Sequence, residues 1–438
     1  MLRLALPVAA VQLGIMGMGV ADTIMVGHVS PAALAATALG NLYFFVAAIF
    51  GQGMLMALDP IVSQAVGAGD DGAIARAIQR GLVLALALTV VTCVVFLPAP
   101  WAMSLLQQPP EVVPDAASYV RVAIPGVFPF YAFVVFRQSL QAMGRVAPVL
   151  WTVLVANLVN VFLNWIFIFG HLGSPALGVT GASIATSIGR WAMAIMILAL
   201  SGRELAHHLE PWRPETSAIA PLLRMVRLGL PIGVQYLLEY GAFAGAALLM
   251  GALGMTQMAA HQIAINLASF TFMVPLGVST ATAVLVGQAI GAGDEGRARR
   301  AAVSGILTGT AFMVLSAVVF RAFPVGLSTL YTRDAAVISL AATLIPIAGV
   351  FQVFDGVQAV AAGVLRGIGD THAPAVINVV GFWLIGLPVS WLLAFQYGGG
   401  AIGLWWGIVV GLATVAIILL GRVRVRLGRT MQRVLIDA

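Results

Sequence analysis

Four carboxylates stand inside long apolar runs of this 438-residue chain: Asp22, Asp59, Glu239 and Asp355. A bare charge at the centre of a bilayer costs at least about 2.5–3.5 kcal/mol, so acids placed there are seldom idle. Asp59 lies near the end of its run and is followed at once by Pro60, which predicts a solvated or capping acid. The other three sit deeper. Burial disfavours an uncompensated charge, so such a carboxylate can hold a proton in one state and Na⁺ or an organic cation in another. That exchange is the minimal chemistry of an antiporter, and it needs no nucleotide. Phe351 stands one helical turn before Asp355, where its ring can offer a cation–π contact in a shared cavity or simply pack.

Uncharged polar residues form a second set. Asn157, Asn160 and Asn164 are spaced three and four apart, which puts them on one face of a helix. Amides in lipid need partners, so that face is expected to point into the protein, toward a ligand or toward other helices. Thr186 in the next run, and Gln262 and Asn266 further on, are candidates of the same kind. Arg190 falls inside an apolar run as well and is the one central cation available to pair with a buried acid.

Other chemistries find no purchase. There is no GxxxxGK[ST], no HExxH and no Cys/His set at metal spacing, and the six His are scattered. His207-His208 stands in the most polar stretch, where solvation is expected. The single Cys, Cys93, allows no intrachain disulfide. The glycine-rich segments QAVGAGDDG near residue 64 and QAIGAGDEG near residue 288 lack the Lys-Ser/Thr ending of a phosphate loop. No cofactor and no enzymatic activity are expected.

The elements that carry these residues follow from composition. The chain is 61% hydrophobic and 9% charged, against roughly 25% charged in soluble domains. Its apolar runs approach the ~20 residues that span a bilayer. An all-α polytopic membrane protein is predicted, with twelve spans near 4–26, 34–60, 76–100, 116–142, 147–170, 178–201, 222–251, 260–286, 300–324, 335–364, 374–396 and 401–421. All 22 cationic residues are Arg. They concentrate in alternate loops and in the RVRVRLGR tail, so the basic balance reflects orientation in a membrane, with both termini cytoplasmic, and not nucleic-acid binding.

The chain is also duplicated. Sliding it by 224 positions brings Leu6-Pro7 onto Leu230-Pro231 and Gln64 onto Gln288. Further along, Ile124-Pro125 answers Ile345-Pro346, and Gly178-x-x-Gly181 answers Gly400-x-x-Gly403. Six spans per copy is an even number, so the repeats are parallel, an arrangement in which transporters bind ligand between halves. The expected organisation is an N-terminal six-helix lobe over 1–200, a cytoplasmic loop over 201–221, a C-terminal lobe over 222–421 and a basic tail over 422–438. The deep acids are not duplicated: Ala246, Ile15 and Val134 answer Asp22, Glu239 and Asp355. Residues that serve the shared scaffold tend to recur, whereas residues that serve one site need not.

Together the segments ADTIMVGHVSPAALAA, the paired QA-x-GAGD, GLPIGVQYLLEYGAF around Glu239 and FDGVQAVAAGVLRGIGDT around Asp355 resemble the multidrug and toxic compound extrusion (MATE) family, in its NorM-type branch. The likeness spans essentially the whole chain. It implies a V-shaped pair of six-helix lobes in a bacterial inner membrane, functional as a monomer, that exports cationic amphipathic drugs by alternating access in exchange for Na⁺ or H⁺. By the same resemblance Glu239 and Asp355 bind the coupling cation, Na⁺ if the protein is sodium-coupled, and Asp22 serves a second site in the N-terminal lobe. Asn160, Asn164, Thr186, Gln262 and Phe351 are the accompanying candidates. Some relatives carry Asp where this chain has Asn164, and some carry Tyr where it has Phe351. A lipid-linked-precursor flippase of the same superfamily is the alternative, disfavoured because three central acids oppose a single central Arg.

Overall fold

The computed structural model describes residues 1–437, apart from the side chain of Arg203. Its regular elements among those residues are all helical, and twelve helices are long and apolar enough to cross a membrane. In the first half these are α1 (Leu2–Gly27), α2 (Pro31–Gly67), α3 (Asp71–Phe96), α4 (Val113–Ala142), α5 (Ala147–Phe169) and α6 (Gly178–Gly202). The second half supplies α7 (Ile219–Leu253), α8 (Met255–Gly291), α9 (Glu295–Ala322), α10 (Ala335–Ile368), α11 (His372–Gln396) and α12 (Gly400–Leu427). The number of spans is the one the apolar runs predict. Several helices outrun those spans, α8 by a turn at each end, because a helix need not stop where the lipid does.

The two glycine-acid segments have a plain local role. Gly69 and Gly293 adopt φ of 67° and 72°, a left-handed conformation that costs glycine little. This turns the chain so that Asp70 and Asp294 fall at helix starts. Asp70 Oδ1 accepts from the Ala73 backbone N–H at 2.9 Å, and Asp294 Oδ1 accepts from that of Arg297 at 2.7 Å. Each acid thereby satisfies an orphan donor of α3 or α9. Ser30 and Asp334 cap α2 and α10 in the same manner.

The segment over 201–221 is partly helical. Gly202, at φ 26°, breaks α6, and helical turns then resume to Leu209. Gln79 of α3 anchors the stretch beyond: its Nε2 donates to the His208 carbonyl at 3.0 Å, and its Oε1 accepts from Thr216 Oγ1 at 2.8 Å. His208 is therefore only 8% exposed and not solvated as its polar surroundings suggest. The polarity belongs to its neighbours along the chain; the packing comes from the buried Gln79.

The chain forms two compact units. One comprises Ala10–Gly233 together with the chain from Leu435 onward; the other comprises Met1–Ala9 and Val234–Val434. The unit boundaries at residues 10 and 234 stand 224 positions apart, the spacing of the repeat. Each lies three residues beyond a helix-internal proline, Pro7 in α1 and Pro231 in α7.

Candidate functional site

In the unit built from Val234–Val434, Glu239 of α7 is held by two side-chain amides. Its Oε1 accepts from Gln358 Nε2 of α10 at 3.2 Å, and its Oε2 accepts from Asn378 Nδ2 of α11 at 3.1 Å. The oxygens of both amides, Gln358 Oε1 and Asn378 Oδ1, are buried with no hydrogen-bond partner. Immediately after Asn378, α11 takes up π-helical turns over Val379–Gly386. Trp383 in that stretch donates its indole N–H to the Leu238 carbonyl at 3.0 Å, one residue before Glu239. The wider turn thus lets α11 engage α7 twice, and π-helical turns are frequent at functional sites.

Glu239 and Asp355 line one cavity of about 430 Å³, with Phe243, His261, Gln262 and Phe351 among its walls. Asp355 and Phe351 share a face of α10, as their spacing predicts. The Phe351 ring meets Phe243 edge-on at 6.0 Å and Trp405 at 5.8 Å between centroids, an edge-to-face cluster that fixes its orientation. Gln262 and Asn266 lie one turn apart on α8 and face the same space. Among the described residues no Arg or Lys lines it. The arrangement offers negative charge, amide oxygens and aromatic walls to whatever enters.

The other unit holds the second acid. Asp22 of α1 accepts from Asn164 Nδ2 at 2.5 Å and from Thr186 Oγ1 at 3.2 Å, and Asn164 Nδ2 also reaches Asn160 Oδ1 at 3.3 Å. Asn160 and Asn164 are fully buried, and Asn160 Nδ2 and Asn164 Oδ1 have no partner. Asn157, on the same helix face, instead donates to the Gly14 carbonyl at 2.9 Å, so it joins α5 to α1 and not to the acid. Arg190 pairs with no carboxylate among the described residues. Its guanidinium lies 3.7 Å over the Phe44 ring centroid, a cation–π contact.

Against known proteins, the MatE family profile matches twice, over residues 7–166 and again over 231–392. The two matches begin 224 positions apart and cover the two repeats. The chain belongs to the MatE family. It is 38% identical over 428 residues to the "Probable multidrug resistance protein NorM" of Rhizobium meliloti (strain 1021), covering 95% of this chain and 91% of that protein. It is 34% identical to the "Multidrug resistance protein MdtK" of Pectobacterium atrosepticum, covering 99% and 97%. Among solved structures, the eukaryotic MATE transporter AtDTX14 superposes with a TM-score of 0.88 over 97% of this chain and 94% of that one, at 22% identity. That last likeness concerns the fold. The MatE chain is a membrane transporter and not an enzyme.

Within this MatE chain the expected site residues separate into two sets. Glu239, Asp355, Phe351 and Gln262 come together in one unit, and Asp22, Asn160, Asn164 and Thr186 in the other. Asp59 departs from expectation. It is 0% exposed and accepts from Gln138 Nε2 at 2.9 Å. A break at Met56–Ala57 restarts α2 as Leu58–Gly67 and puts Asp59 in the first buried turn, with no side-chain cap at that start. It is neither solvated nor a cap, because the helix restarts at Leu58, ahead of the proline, and its first turn is buried. Gln358, Asn378 and His261 were not singled out by the sequence. Gln358 stands three residues after Asp355, and that spacing is the one signal that could have found it.

Proposed function

We propose that this chain exports cationic, amphipathic compounds across a bacterial inner membrane in exchange for Na⁺ or H⁺, by alternating access and as a monomer with both termini cytoplasmic. The observation that carries this reading is the cavity that Glu239 and Asp355 share with aromatic walls and no opposing cationic side chain. Two carboxylates in a largely apolar setting attract positive charge, and the rings of Phe243 and Phe351 suit flat or alkylated cations. The names of the bacterial relatives, which are multidrug resistance proteins, support it.

The coupling ion is a cargo of the cycle. Glu239 has an oxygen-rich setting for it: the unpartnered Gln358 and Asn378 oxygens can turn toward a cation beside the carboxylate, and hard cations prefer carboxylate and amide oxygens. With a proton instead, Glu239 becomes a donor, and the same amide oxygens accept it. Either way, a drug cation and the coupling ion compete for one pool of negative charge, which is what exchange requires. Asp22 with Asn160, Asn164 and Thr186 provides a second such pool. That α1 and α7 each leave one unit for the other just past a proline supports rocking between two states.

Ethidium export from proteoliposomes, under separately imposed Na⁺ and H⁺ gradients, tests the reading. Wild type is expected to respond to at least one gradient, and Glu239→Gln and Asp355→Asn to lose most of that response. Export by both variants at the wild-type rate under every gradient would sink the cation site. Absence of export by wild type under both would sink the antiport.

A further inference from the structure

One wall of the acidic cavity carries a group that the ion-exchange chemistry leaves unused. His261 of α8 lines the cavity, is 3% exposed, and keeps a buried Nδ1 with no hydrogen-bond partner. Its ring lies 5.6 Å from that of Trp405, whose indole Nε1 is also buried and unpartnered. Buried polar atoms are ordinarily hydrogen-bonded, so an imidazole that lines the cavity without a partner has capacity to spare for a group that arrives with the ligand. The repeat places Thr37 opposite His261; like the deep acids, the imidazole belongs to one copy only.

Other acceptors line the cavity as well: Gln262 and Asn266 of α8 face the same space. Glu239 already accepts two amide N–H groups. The Asp355 carboxylate attracts any cation through its charge and also accepts from an ammonium N–H, whereas the Phe243 and Phe351 faces favour a quaternary centre as readily as an amine. A neutral imidazole differs: it presents one lone pair and one N–H. The lone pair rewards only a cation that carries an N–H of its own.

We propose that His261 is a specificity residue of this cavity, accepting a hydrogen bond from the N–H of a protonated amine and so biasing the site toward amine cations over quaternary ones. The assignment rests on the export reading above and narrows its substrate class. The Trp405 ring packs beside the imidazole.

The test is displacement of bound ethidium from purified protein by a matched pair: a pyrenylmethyl dimethylamine, protonated at neutral pH, and its N-methyl quaternary salt. Wild type is expected to bind the amine about tenfold more tightly, a ratio worth about 1.4 kcal/mol. His261→Phe keeps a ring against Trp405 and removes both nitrogens; the ratio is expected to fall severalfold. His261→Gln, which retains an acceptor, is expected to keep part of the preference. Should His261→Phe fail to fold by gel filtration, His261→Leu takes its place. A ratio that survives loss of the imidazole, or a wild type that binds both cations equally, overturns the assignment while leaving export intact. If neither cation nor ethidium binds, the export reading falls with it.

Discussion

Glu239 owes its position to amides and not to a positive charge, and that distinguishes it from a structural ion pair. A fixed cation would neutralise it permanently, as Arg422 does for Asp370 at 2.8 Å. Gln358 and Asn378 can instead give N–H to a carboxylate or oxygen to whatever the carboxylate holds. On the export reading the Asn378 oxygen turns to the bound ion, so removing this amide takes from the loaded state a contact to a charged group, worth about 1.5–3 kcal/mol. Asn378→Leu is therefore expected to raise the concentration of coupling ion needed for half-maximal export by roughly tenfold or more, with Asn378→Gln less affected. An unchanged ion dependence in the folded Leu variant would make Asn378 a spectator. Asp22→Asn should act through the other unit, slowing export while leaving ethidium binding by the Glu239 cavity within about twofold. The acids were legible in the sequence because a charge in an apolar run is costly wherever it points. Gln358, Asn378 and His261 were not, because uncharged polar residues are affordable in helices and their importance depends on which neighbours they meet. Phe351 was legible for its spacing, yet its anchoring by Phe243 and Trp405 joins three helices that no local pattern links.

At the scale of elements, the paired glycine-acid segments are where sequence and structure agree most fully. Their recurrence marks them as scaffold, and their geometry explains the residues: glycine for the left-handed turn, aspartate for the cap. Loss of an N-cap costs typically about 1 kcal/mol. Asp70→Ala and Asp294→Ala are each expected to lower the thermal midpoint of the purified protein slightly while leaving export per folded molecule unaltered. Loss of export without loss of stability in either variant would mean the segment has a ligand after all. The breaks within helices were much less legible. Pro60 marks the neighbourhood of the α2 interruption, but the helix restarts before it, at Leu58. The π-helical turns of α11 are marked in the sequence only by Gly381, Gly386 and Pro388, and it is the close approach of those glycines to Gly411 and Val415 of α12 that no local pattern announces.

At the scale of the molecule, the duplication predicts two like halves, and the unit boundaries repeat at its 224-residue interval. What it does not predict is where the last residues of the chain go. From Leu435 onward they belong with the N-terminal helices. Asp437 pairs there with Arg76 Nε at 2.6 Å and Arg80 Nη1 at 2.5 Å, while Arg224 donates to the Ile436 carbonyl at 2.6 Å. Partial burial pushes the Asp437 carboxyl up, but hydrogen bonds and charge from Arg76 and Arg80 outweigh it and hold it below its ordinary value. A carboxyl with a depressed folded-state pKa stabilises docking at pH above its unfolded value, near 3.8; the stabilisation is lost as pH falls through the lower folded value. The Asp437 side chain is 37% exposed, so solvent and salt weaken the pair, and exposed pairs contribute only about 0–1 kcal/mol. Asp437→Asn at neutral pH is thus expected to speed proteolytic trimming of the tail by at most about fivefold, with wild type approaching the variant only under strongly acidic conditions. Trimming that is equally fast in wild type and variant at neutral pH would show that the two arginines do not hold the tail.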